Sequence, residues 1–268
     1  MKLLFAAVLV TGCGRVAFDP RGDASGDAVL PADLRLDAPP HGSVTHDEDG
    51  DGVVDGLDPC PHIAGDLADR DGDGVGDICD AEIDNPRQRI TRFEGFENGL
   101  PSGLTAGAGW VARPDALAWP GSNFGYVAWD PHPVTDVDIA VAWDILSIPA
   151  TPTHQLLIGT DFPGGARTYG EVYQGGTQAF TSVTHYDGSS TYTNYDQISF
   201  GVITTGRVDM SYHAFENPRA IEVRATWMGM STRRSFSAAA PYGPAPALGV
   251  TVRDLEAELR YLLVIETN

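Results

Sequence analysis

Residues 136–145 read DVDIAVAWDI. Val137, Ile139, Val141, Trp143 and Ile145 fall on one side of an extended chain, and the residues between them are acidic or small. Alternation with a period of two marks a strand of an antiparallel sheet that buries one face. Residues 219–227, RAIEVRATW, repeat the pattern, with Ile221, Val223, Ala225 and Trp227 inward against Glu222, Arg224 and Thr226. Residues 258–266, ELRYLLVIE, are equally rich in β-branched and aromatic side chains but alternate less cleanly. Turn signals lie between such runs: Pro-Gly-Gly at 163–165, Gly-Gly at 175–176, Asp187-Gly188-Ser189-Ser190 and Pro-Tyr-Gly-Pro at 241–244. No long amphipathic helix is legible. About 180 residues of short strands, from 88 to 268, predict a mainly β fold, an antiparallel β-sandwich with a core of its own.

The edges of this region carry a resemblance. It opens with FEGFENGLPSG at 93–103 and closes with LGVTVRDLEAELRYLLVIET at 248–267. Both are similar to the borders of concanavalin-like, laminin-G-type jelly rolls. That likeness implies two packed antiparallel sheets, and many such domains bind glycans or proteins, while some are glycosidases.

Upstream stand two aspartate runs, DEDGDGVVDGLD at 47–58 and DRDGDGVGDICD at 69–80. Numbered from its first aspartate, the first run has Asp47, Asp49, Asp51, Asp55 and Asp58 at positions 1, 3, 5, 9 and 12. The second has Asp69, Asp71, Asp73, Asp77 and Asp80 at the same positions, and both have glycine at 6 (Gly52, Gly74) and valine at 7 (Val53, Val75). This is the ligand spacing of an EF-hand-type calcium loop, with alternate carboxylates, a glycine for the sharp turn, a backbone carbonyl at 7 and a closing carboxylate at 12. Two carboxylates about 5 Å apart repel by roughly 3 kcal/mol at an effective dielectric near 20, so several such pairs would open the loop unless a cation held it. Six to eight oxygens around a hard ion suit Ca²⁺ better than Mg²⁺. No helix flanks either run: PPHGSVTH precedes Asp47 and Pro59-Cys60-Pro61 follows Asp58. The pair instead resembles the thrombospondin type 3 repeat, D-x-D-x-D-G-x-x-D-x-x-D-x-C-P followed by D-x-D-x-D-G-x-G-D-x-C-D, over residues 46–84. The spacer HIAGDLA departs from the usual form, with Gly65 and Leu67 where Asn and Gln are common. The resemblance implies a disulfide-pinned irregular stalk wound on calcium, with almost no hydrophobic core. Its implied ligands are the ten aspartates and the carbonyls of Val53 and Val75.

The chain begins MKLLFAAVLVTGCGR. A lysine, a short apolar run and small residues before Cys13 read as a signal peptide over 1–12, the apolar run being too short to cross a bilayer. Val10-Thr11-Gly12-Cys13 resembles a bacterial lipobox, which implies lipidation of Cys13, a membrane partner through that anchor, and an address in the cell envelope, the outer membrane in a diderm cell. Residues 13–45 are rich in Pro, Ala, Asp and Gly and read as a disordered tether. Arg21-Gly22-Asp23 falls in it as a chance tripeptide. Cys60 and Cys79 then remain as an even pair in an oxidising compartment, which predicts a disulfide between them.

The net charge is −20, and residues 19–84 hold 19 of the 37 acidic residues beside three arginines. Nucleic acid is excluded as a partner by that balance. There is no Gly-x-Ser-x-Gly, no His-Glu-x-x-His and no phosphate loop, and Glu94 and Glu97 lack the spacing of a Glu-x-Asp-x-x-Glu glycosidase strand. His132, His154, His185 and His213 are scattered singletons. The chain is therefore expected not to be an enzyme. Tyr186, Tyr192, Asn194 and Tyr195, in a hairpin dense in polar and aromatic residues, are the candidate ligand face. The expectation is a calcium-binding surface lipoprotein that displays a β-sandwich for glycan or surface-protein binding. The alternatives are a jelly-roll glycoside hydrolase and a purely structural envelope protein.

Overall fold

The computed structural model describes residues 42–267, apart from 66, 122, 130–135, 151–152, 161–166, 187–190, 197–201, 217–218, 228–229 and 237–246. The expected lipobox at Cys13 lies outside the described residues, as does most of the tether. Among the described residues fifteen strands form two antiparallel sheets, and the only helical element is a 3₁₀ turn at Asp55–Leu57.

The eight-stranded sheet runs β13 (Met230–Phe236), β12 (Arg219–Trp227), β11 (Gly206–Glu216), β6 (Asp136–Ser147), β15 (Glu256–Thr267), β4 (Ala116–Pro120) and β3 (Val111–Arg113). β1 (Gln88–Glu94) adds to the same side of β15 as β4, so β15 pairs with β4 through its first half and with β1 through its second. The seven-stranded sheet runs β10 (Thr191–Asp196), β9 (Gln178–Tyr186), β8 (Arg167–Gly175), β7 (Thr153–Thr160), β14 (Leu248–Arg253), β5 (Phe124–Trp129) and β2 (Leu104–Ala106).

Between the sheets lies the main core. Val137, Ile139, Val141, Trp143 and Ile145 of β6 are all buried there, as are Ile221, Val223 and Ala225 of β12. From the other sheet come Leu156, Ile158, Val172, Val183, Leu248, Val250 and Val252. The alternation read from the sequence is therefore the in–out alternation of a sandwich. At Gly170 on β8 the sheets leave no room for a side chain: a Cβ there would stand 2.1 Å from Val223 Cγ2 on β12.

β15 explains its own irregular pattern. A register shift between Leu259 and Tyr261 turns the strand, so that Leu259, Leu262 and Val264 enter the main core. Tyr261, Leu263 and Ile265 face the opposite way and are buried too, in a second core with Phe93, Ala142 and Val75. A strand buried on both faces reads as a continuous apolar run. The cover over its outer face is the aspartate-rich segment. That segment was expected to stand apart from the sandwich as a stalk. Instead residues 38–268 form one compact unit, because Val75, Cys79 and Ile90 supply apolar surface that the outer face of the eight-stranded sheet matches.

Candidate functional site

The two aspartate runs fold into congruent loops. Asp47 accepts from the amides of Gly50 (2.8 Å) and Gly52 (3.0 Å), and Asp69 from those of Gly72 (2.8 Å) and Gly74 (2.9 Å). Val53 N donates to Asp51 and Val75 N to Asp73, each at 2.9 Å. Glycine at position 6 is required because φ is +98° at Gly52 and +94° at Gly74, a region closed to most side chains. Position 4 has the same requirement, with φ +79° at both Gly50 and Gly72. The sequence carried that signal twice, in DGDG, and the reading from position 6 alone missed it.

Carboxylate oxygens of Asp47, Asp49 and Asp51 lie within 4.8 Å of one another, and those of Asp69, Asp71 and Asp73 do the same. In each loop the aspartate at position 3 keeps one buried oxygen, Asp49 Oδ2 or Asp71 Oδ2, without a hydrogen-bond partner. The aspartates at position 12 belong to the same field. Burial pushes the Asp58 carboxyl up to about 6, with Asp51 and Asp49 adding to the shift against the Cys60 amide bond. Asp80 is pushed up to about 6 by burial, opposed by its bond from the Glu82 amide and reinforced by Asp73 and Asp71. Crowded carboxylates with unpaired buried oxygens fit a hard, oxygen-seeking divalent cation, which would relieve both penalties.

The position-9 aspartates do a different job. Asp55 accepts from the Glu48 amide at 2.8 Å, and Asp77 from the Arg70 amide at 2.8 Å, closing each loop across its width. Asp55 also takes a 2.8 Å bond with His46 Nδ1. Neither residue is in the close carboxylate group of its loop among the described residues. Ser43, expected in the tether, already belongs to this fold, since its carbonyl accepts from Gly56 N at 2.7 Å and its hydroxyl from His46 N at 3.1 Å.

Cys60 and Cys79 form the expected disulfide, their Cα atoms 6.0 Å apart. A backbone bond from Gly76 N to Pro59 O (2.9 Å) ties one loop to the other, while Asp77 N to Ala68 O (2.7 Å) closes the second loop on itself as Asp55 N to His46 O (2.8 Å) closes the first.

Among the described residues, several contacts fasten the loops to the sandwich, one of them between His46 beside the first loop and Asp115 (3.8 Å). Val75, at position 7 of the second loop, is fully buried against the outer face of β15. Gln88 donates its backbone N–H to Asp73 Oδ2 at 2.8 Å and its side-chain amide to Asp138 Oδ2 at 3.2 Å. The His62 ring lies 5.3 Å from that of Tyr261, whose ring also has the Arg207 guanidinium 5.5 Å from its centre. Burial, helped by Arg207, lowers the His62 pKa to about 4, so the ring is neutral where it packs.

Of the expected ligand face, Tyr186 ends β9 and Tyr192, Asn194 and Tyr195 lie on β10. Tyr192 is in register with His185 and Tyr195 with Ser182. The side chains of the four lie outside the described residues. On the outer face nearby, Glu171 is buried and accepts from Ser182 Oγ at 2.6 Å and from Gln155 Nε2 at 3.0 Å. His154 is buried and bonded through Nδ1 to Asp254 O at 2.6 Å, and His213 pairs with Asp138 on β6.

No protein-family model matches this sequence, and no curated protein matches it. Solved structures do. The chain is similar to the CBM2 module of the evolved Dit of Lactobacillus casei BL23 phage J-1, with a TM-score of 0.54 and 10% identity over 68% of this chain and 97% of that one. The fold is an antiparallel jelly-roll β-sandwich. A second similar structure is a lectin from Bauhinia forficata in complex with GalNAc, with a TM-score of 0.49 and 10% identity over 67% of this chain and 98% of that one. The jelly roll of this chain spans β1 to β15, with the aspartate loops seated on the outside of its eight-stranded sheet.

Proposed function

We propose that this chain is an exported lipoprotein whose lectin-like sandwich recognises glycans at the cell envelope and is braced by calcium in the two aspartate loops. Cys13 carries the lipid, residues 1–12 are the signal peptide, and the residues before Gly42 tether the folded part. The observation that carries the reading is an asymmetry of the sandwich. One outer face is partly covered by the aspartate loops, which pack through Val75 on Tyr261 and leave a cleft of about 350 Å³ against β11 and β12. The outer face of the other sheet holds a groove lined by aromatic, amide and charged side chains. A glycan-binding CBM-like role is in keeping with the CBM2 module that shares the fold. In the loops Asp47, Asp49, Asp51 and Asp58 would hold one Ca²⁺, and Asp69, Asp71, Asp73 and Asp80 another, with the carbonyls of Val53 and Val75 as further ligands. The bound ion would supply charge neutralisation and nothing chemical, so the chain's own work is binding without turnover.

Two measurements test this. Calorimetric titration of the chain with CaCl₂ is expected to register uptake with Kd on the order of 10⁻⁴ to 10⁻³ M, the range of extracellular modules. A glycan array probed in calcium is expected to give specific binding that chelator weakens. No uptake at millimolar Ca²⁺ sinks the brace, and a blank array sinks glycan recognition.

A further inference from the structure

A groove of about 470 Å³ crosses the outer face of the seven-stranded sheet, lined by Asn123, Phe124, Gln155, Tyr169, Arg253 and Asp254 over a floor that includes Leu157. Its volume lies within the roughly 300–1,000 Å³ of small-molecule sites. Register places its residues in rows. Phe124 stands opposite Arg253, and Arg253 opposite Gln155. One row in are Tyr126, Thr251 and Leu157, and beyond them Ala128, Gly249, Gly159 and Tyr169. The two glycines leave no side chain between Ala128 and Tyr169 in that last row.

Three independent features set this surface apart. Phe124 is 51% exposed at the rim, beside a half-buried Tyr126 and Tyr169 that pack on Leu157 and Ala128. Asn123 and Asp254, on two different turns, both hold left-handed backbones, φ +67° and +51°. They are fastened to each other by Asp254 N donating to Asn123 O at 3.0 Å, with His154 bonded to the Asp254 carbonyl behind them. Asparagine and aspartate adopt this region as single turn residues, so the two linked turns hold Asn123 and Asp254 at fixed places on the groove's lining. Lastly, Thr251, paired in register between Tyr126 and Leu157 under this surface, is fully buried, and its hydroxyl has no hydrogen-bond partner.

The chemistry of the lining selects a ligand class. Arg253 lies 3.4 Å from the Asp254 carboxylate and 3.4 Å from Gln155 Oε1, so the groove is close to neutral while rich in fixed, planar hydrogen-bonding groups. An anion would meet Asp254. A wholly apolar ligand would bury these polar groups without returning their hydrogen bonds. A sugar ring offers an apolar C–H face to an aromatic ring and vicinal hydroxyls to carboxylate, amide and guanidinium. We propose that this groove is a saccharide site for a pyranose ring of a neutral glycan, stacked on Phe124 and bonded by Asn123, Gln155, Arg253 and Asp254. The assignment rests on the glycan-binding reading and moves its site from the Tyr192–Tyr195 hairpin to the β5–β14–β7 surface.

The test uses the full chain in calcium on an array of neutral and acidic glycans, followed by titration of the best-bound neutral glycan into four variants. Phe124→Ala and Asp254→Asn are expected to weaken binding about tenfold or more with melting temperature unchanged, since asparagine tolerates the left-handed backbone. Tyr192→Ala and Tyr195→Ala are expected to bind as wild type. Retained affinity in the first pair, with loss in the second, overturns the groove and leaves glycan recognition standing. Binding confined to acidic glycans overturns the ligand class. A wild-type chain that binds nothing on the array overturns both readings.

Discussion

The backbone amide of Gln88, the first residue of β1, donates to Asp73 Oδ2 at 2.8 Å. One residue of the second aspartate loop thus fixes the start of the strand that pairs with β15. Whatever orders Asp73 also orders the edge of the sandwich.

Calcium removal is therefore expected to destabilise the whole described unit, not the loops alone. A ligand bound only by the native state adds about 2.7 kcal/mol per site at a hundredfold excess over Kd. Differential scanning calorimetry should show one transition that shifts upward with CaCl₂ and downward with chelator. A sandwich transition at the same temperature in both buffers would show that the two parts are uncoupled.

Val75 and Val53 occupy the same position of their loops in different surroundings. Val75 is fully buried in the second core, whereas Val53 is only half-buried. Val75→Ala removes two buried methyl groups and leaves a void, a loss of about 2 kcal/mol. Val53→Ala is expected to cost about 0.5 kcal/mol or less, as for surface positions. Urea midpoints in saturating calcium measure the pair, and equal losses would contradict docking through the second loop.

Gly170 lets the two sheets meet. With a Cβ predicted 2.1 Å from Val223 Cγ2 and 2.5 Å from Cγ1, Gly170→Ala forces side chain or backbone aside. Overpacking of this kind costs about 1–3 kcal/mol. Val223→Ala in the same chain opens the space, so the double variant should be more stable than the sum of the single losses implies. Strict additivity would place the two residues out of contact.

Glu171 gives the sandwich a pH dependence. Burial raises its pKa above the ordinary 4.5, against the bonds from Ser182, Gln155 and Thr184. The folded chain then holds the proton more tightly than the unfolded chain does. Its contribution to stability is greatest below the unfolded value and is lost as pH rises through the raised folded value. At saturating calcium, Glu171→Gln should remove that part of the decline, so the stability difference between variant and wild type grows in favour of the variant over this window. A difference that stays constant with pH would mean that Glu171 does not titrate differently on folding.

Much of this molecule was legible residue by residue. The strands of β6 and β12 follow from alternation, because a period of two maps directly onto the faces of a sheet. The loops follow from spacing, because every carboxylate of a run lies within twelve residues of its partners and the glycines mark the turns. The division of labour within the loops was not legible. Asp55 and Asp77 match the ligand spacing, yet their oxygens close the loop through backbone amides.

What the sequence determined by itself was local: a strand-rich domain, two acidic loops of fixed spacing and a disulfide between them. Tertiary structure alone decided that the loops lie on the sandwich, since Val75 meets Tyr261 and Leu263 across more than 180 residues of chain. The run YLLVI carried half of that message, because a strand apolar on both faces must be covered on both, but nothing local names the cover. The groove was hidden for the same reason. Phe124, Gln155 and Arg253 become neighbours only when β5, β7 and β14 pair, and hydrogen-bonded register, not sequence proximity, sets which side chains share a surface.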